Sequence, residues 1–148
     1  MEYSTDFLTI AEGTQLNMTT AELNNVVPSD ATLRTLVTPY LGAEGSRATC
    51  LSNFFPLILT DAQSNTFLTG FLNRLTSNLS TIYNANRQNT SLVWSSLNIN
   101  IITAILEIAK LQMNQNFIST QFWSYFLVNN WTAMSTDLKL NYTNTNDT

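Results

Sequence analysis

From Thr19 onward, apolar side chains recur along this chain at helical rather than strand spacing. Phe67, Leu68, Phe71, Leu72, Leu75, Leu79 and Ile82 follow one another at short, helix-like steps, while Asn73, Arg74 and Ser77 fall on the other side. Residues three or four apart share a face, so this stretch predicts a long amphipathic helix opening at a Thr60 or Asp61 cap. Further on, Leu97, Ile101, Ala104, Ile105, Ile108 and Leu111 form a seam close to a heptad repeat, widened by Val93, Trp94, Ile102 and Leu106. That helix is expected to start at a Thr90 or Ser91 cap. More than half of its circumference is apolar, so it has to sit between neighbours on several sides. A fifth helix begins near Ser119, and its stripe is aromatic: Phe122, Trp123, Phe126, Leu127 and Trp131.

Shorter elements precede these. The string "TTAELNNVV" carries Thr19 and Glu22 in the Thr-x-x-Glu relation of a capping box, and Pro28 closes the helix it opens. Ser29 or Asp30 caps the next, in which Leu33, Leu36, Val37, Tyr40 and Leu41 keep helical spacing, with Pro39 kinking the last turn and Gly42 as the stop. "AEGSRATCLSNFFPLIL" reads as a loop and a helix with Cys50, Leu51, Phe54 and Phe55 on its inner face until Pro56 interrupts. Residues 1–18 alternate weakly and read as an extended N-terminal arm or a short strand; residues 141–148 have no periodicity and read as a flexible C-terminal tail. No repeat or internal boundary appears. The expected fold is all-α: a single domain over 1–148, an antiparallel four-helix bundle with an additional short N-terminal helix and extended terminal arms.

Composition changes the picture in one direction. Charged residues make up 11% of the chain, where about 25% is usual. Asn, Thr and Ser together fill 54 of the 148 positions, while Lys stands only at Lys110 and Lys139. A surface of amides and hydroxyls packs against copies of itself without desolvating many ions, which favours association. The formal charge of −4 argues against holding nucleic acid by bulk charge. Cys50 is alone, so no disulfide framework is expected. The first residues lack the basic start of a secretory signal, and Asn98, Asn100, Glu107, Lys110 and Gln112 interrupt the longest apolar run, so no membrane span is expected. Six Asn-x-Ser/Thr sequons are about what so much Asn, Ser and Thr supplies by chance.

Candidate chemistry is sparse. With no histidine, the commonest general base and the His-containing triads and zinc sites are gone. Glycines at 13, 42, 45 and 70 form no phosphate-binding run, and the ten acids are scattered. No catalytic, metal or cofactor residue is expected, nor a small-molecule substrate. Arg34, Arg47, Arg74 and Arg87 are all the arginines, and a guanidinium forks onto phosphate or carboxylate with fixed geometry.

Several strings resemble one family. "MEYST" at the start, "LRTLVTPYLG" from Leu33 to Gly42, "SRATCLSNFF", and then "ILEIAK" with "NFISTQFW" and "NNW" are similar to segments of tobamovirus-like coat proteins of rod-shaped plant RNA viruses. The fragments cover about a third of the chain. This resemblance implies a bundle stacking side by side into a helical tube, with single-stranded RNA gripped by Arg74 and Arg87 and with Arg47 facing a neighbouring subunit or the RNA. The expectation is therefore a structural, self-assembling capsid or coat subunit of a virion, a homo-oligomer rather than an enzyme, with Trp94, Phe122, Trp123, Phe126 and Trp131 at subunit interfaces. The alternative is a small viral or phage accessory or inhibitor module that docks a host protein through an apolar helix face.

Overall fold

A computed structural model of the chain describes residues 2–3, 7–11, 13–111 and 117–141. The chain is mostly helical, as an all-α protein is expected to be, with seven α-helices and three short strands among the described residues. It divides into two compact units, residues 1–75 and 76–148. Among the described residues no helix is long and apolar enough to cross a membrane.

Unit 1 opens with structure where an arm or a short strand was expected. β1 (Glu2–Tyr3), β2 (Leu8–Ile10) and β3 (Thr14–Gln15) form an antiparallel sheet in the order β1-β2-β3, with Tyr3 opposite Leu8 and Ile10 opposite Thr14. Ala11 and Gly13 take left-handed backbone between β2 and β3. Leu8 and Leu16 are fully buried, and the Leu16 carbonyl accepts from Gly42 N at 2.8 Å. Burying such side chains contributes about 1.5–3 kcal/mol each, enough to hold the segment down as a sheet rather than leave it as an arm.

α1 (Thr20–Val26) begins at the capping box its sequence announces: Glu22 N donates to Thr19 Oγ1 at 3.2 Å, and Thr19 N donates to Glu22 Oε2 at 2.8 Å. Asp30 caps α2 (Ala31–Val37), taking Leu33 N on Oδ1 at 2.9 Å. Pro39 then sits in a 3-10 turn over Thr38–Tyr40, and Gly42 follows at φ +67°. α3 (Gly45–Phe54) corrects the expected inner face. Ala48 is its buried residue, and Cys50, two residues on and about 200° around the helix, is exposed along with Phe54 and Phe55. α4 (Asp61–Asn86) starts in unit 1 on a second reciprocal cap, Thr60 with Gln63, and buries Phe67 and Phe71.

In unit 2 the end of α4 buries Leu79 and Tyr83. α5 (Ile99–Leu111) starts later than the apolar seam predicts. Asn98 caps it, accepting Asn100 N on Oδ1 at 2.8 Å, while Trp94–Ser96 form a 3-10 turn. The upstream apolar residues are held otherwise: Tyr83 Oη donates to the Leu92 carbonyl at 3.0 Å, and Trp94 N donates to Asn84 Oδ1 at 2.9 Å. The single aromatic helix expected from Ser119 is two helices, α6 (Gln121–Leu127) and α7 (Trp131–Asn141). Asn129 stands at φ +55°; its N–H donates to the Phe126 carbonyl and that of Asn130 to the Tyr125 carbonyl, the paired bonds of a Schellman stop. Asn130 Oδ1 then takes Ala133 N at 3.1 Å and starts α7. The expected flexible tail lies outside the described residues beyond Asn141.

Candidate functional site

The aromatic residues expected at subunit interfaces are sorted by the fold. In unit 2, Tyr83 stacks on Phe126 at 4.7 Å between ring centroids, and Trp94 meets Tyr83 edge-on at 5.9 Å. Trp123 leans on Phe126 at 5.2 Å and on Phe117 at 5.5 Å, and Phe117 in turn lies 6.1 Å from Phe122. Trp94, Phe122, Trp123 and Phe126 are all buried, so these four belong to the core of unit 2. Only Trp131 of the five keeps an open side, at 40% exposure. The reason is local: the stop at Asn129 ends the aromatic stripe after Phe126 and sets Trp131 at the head of a new helix.

Trp131 belongs to an apolar groove of about 210 Å³. Ile101, Ile105 and Ile108 of α5 form one side, Met134 and Leu138 of α7 the other, and Phe122 is among its linings. Ile99 and Leu140, on the same two helices, are exposed.

Unit 1 carries a second apolar surface. Phe54, Phe55 and Ile58 are 73%, 64% and 81% exposed, within five consecutive residues. Pro56 ends α3 there, and the Phe55 carbonyl is held by Tyr40 Oη at 2.7 Å, so the segment is fixed with its large side chains outward. Ile58 also lines an open hollow of about 270 Å³ with Ile10, Leu57 and Leu59.

Three of the four arginines donate to backbone carbonyls. Arg34 Nη1 donates to the carbonyls of Val27 at 2.6 Å and Pro28 at 2.9 Å, beyond the end of α1. Arg47 Nη2 donates to the Pro39 carbonyl at 3.0 Å. Arg87 bridges the Asn84 and Thr90 carbonyls through Nη1 and Nη2, while its Nε is buried without a partner. Helix ends leave carbonyls without intrahelical donors, and a guanidinium supplies several N–H groups at once. Arg47 and Arg74 are both exposed, and Arg74 makes no such bond among the described residues. Of the three arginines expected to grip RNA, Arg87 and Arg47 thus give part of their donors to the backbone, and Arg74 has all of its own open.

Among the described residues no group of three or more Cys, Asp or Glu side chains is placed to hold a metal ion. The sequence missed Tyr83, the fully buried centre of the unit 2 core, because Ile82 beside it extends the aliphatic stripe equally well. Its register four residues after Leu79 was the available signal. The exposed Phe54 and Phe55 were missed for the opposite reason, since aromatic residues at helical spacing were assigned inward. No protein-family model, curated protein or solved structure matches the chain.

Proposed function

We propose that this chain is a structural, self-assembling subunit of the coat-protein kind, whose longer helices form an antiparallel four-helix bundle and whose assembly is a capsid or filament of a virion. The observation that carries the reading is the Phe54–Phe55–Ile58 surface, three large apolar side chains held outward by a proline and a tyrosine hydrogen bond. Contiguous apolar surface on a soluble chain marks an interaction site, and few ions oppose the close approach of copies. Packaging of single-stranded RNA enters this reading through Arg74. Negative-stain microscopy of the concentrated chain, with and without RNA, tests it. Regular filaments or shells are expected; discrete small particles at every concentration would refute it.

A second reading, a small accessory module that docks one host protein, is favoured by the α5–α7 groove around Trp131. An apolar groove between helices suits the apolar face of an incoming amphipathic helix. It differs in its consequence, since the free chain would then stay monomeric.

A further inference from the structure

Unit 1 also holds an open cleft of about 480 Å³ lined by both apolar and polar groups. Its polar lining is Ser29, Asp30, Asn65, Thr66, Thr69 and Asn73. The last four lie on α4 at positions i, i+1, i+4 and i+8, which a helix gathers onto one face. The floor is apolar and tight: a Cβ on Gly70 would stand 1.8 Å from the Val26 carbonyl oxygen, so α1 and α4 meet there backbone to backbone. Pro28 adds an apolar ring at the rim.

Two features give this lining meaning. Thr35, Thr49, Thr81, Thr103 and Thr136 each donate their hydroxyl to the carbonyl four residues back. Thr66 and Thr69 do not, and neither they nor Ser29, Asn65 and Asn73 have a side-chain hydrogen bond among the described residues. Five neutral groups that donate and accept therefore remain available around one hollow. The charge is also selective. Asp30 accepts Leu33 N on one carboxylate oxygen, no Lys or Arg lines the cleft, and Arg34 beside it holds the Val27 and Pro28 carbonyls through Nη1. An anion would meet the Asp30 carboxylate with no Lys or Arg in the lining, and a wholly apolar ligand would leave the amides and hydroxyls unused.

We propose that this cleft binds a neutral carbohydrate. Sugar hydroxyls both donate and accept, matching the amides and hydroxyls of α4, and the C–H face of a pyranose suits the exposed Pro28 ring. Saturation-transfer NMR on the intact chain tests this with lactose as the neutral sugar, glucose 6-phosphate as the anionic one and glycerol as a small polyol. Lactose is expected to give saturable transfer with a Kd of about 1 mM, with glucose 6-phosphate weaker and glycerol unsaturable. The exposed double substitution Thr69→Val with Asn73→Ala, checked for unchanged circular dichroism, is expected to weaken lactose about tenfold. Absent transfer from lactose, tighter binding of the phosphorylated sugar, saturation by glycerol, or undiminished binding by the double variant would each overturn the proposal.

Discussion

Tyr83 joins three parts of unit 2 through one side chain. Its ring stacks on Phe126 and meets the Trp94 edge, while its hydroxyl donates to the Leu92 carbonyl and accepts from Asn129 Nδ2 at 3.1 Å. Tyr83→Phe keeps the ring and removes the hydroxyl, leaving the Leu92 carbonyl without this donor and Asn129 Nδ2 with the Phe126 carbonyl alone. The expected cost is about 1–3 kcal/mol in urea unfolding monitored by near-ultraviolet circular dichroism, where the aromatic cluster reports. A change below the error of the measurement would show that water replaces the hydroxyl freely. The arginines teach the same lesson at this scale: type and count were plain in the sequence, but their partners were not. A guanidinium that clamps Asn84 and Thr90 carbonyls looks, in a string of letters, like one that awaits a phosphate.

At the scale of elements, starts were more legible than stops. Thr19 with Glu22, Asp30 and Thr60 all cap where polar side chains precede an apolar rhythm, because capping is local and needs only the next three residues. The break between α6 and α7 was not read, since Phe122, Phe126 and Trp131 keep near-helical spacing across it. The signal was the Asn129–Asn130 pair, asparagine being the residue after glycine that best tolerates left-handed backbone and a strong helix cap in its own right. The late start of α5 was beyond local reading, because Tyr83 and Asn84 hold the preceding segment from nine and ten residues away. Gly70 supplies a test of packing between elements. In an exposed helix Gly→Ala gains about 1 kcal/mol, but here the new Cβ meets the Val26 carbonyl. Gly70→Ala is therefore expected to destabilise the chain by about 1–3 kcal/mol, read as a lower denaturation midpoint. A raised midpoint would mean that α1 moves away at little cost.

For the molecule as a whole, the all-α character was legible because periodicity dominates two thirds of the chain. At its start the weak alternation allowed a short strand or an arm but not a three-stranded sheet, the strands being two or three residues long. The aromatic stripe expected at the assembly surface is core except for Trp131, whereas Phe54, Phe55 and Ile58 face outward. If copies associate through that surface, replacing its exposed rings will abolish association while leaving the fold intact, since surface substitutions cost within about 0.5 kcal/mol. RNA binding through Arg74 would add a salt-dependent affinity that Arg74→Ala diminishes, with a slope reduced by roughly one in a log–log plot of binding against salt.

Sedimentation velocity over a wide range of concentration, comparing the natural chain with Phe54→Ser/Phe55→Ser, tests self-assembly most directly. Self-assembly requires fast-sedimenting species that grow with concentration in the natural chain and collapse to the monomer in the double variant, with helical circular dichroism unchanged. A natural chain that stays monomeric throughout, or a double variant that assembles equally well, would contradict it.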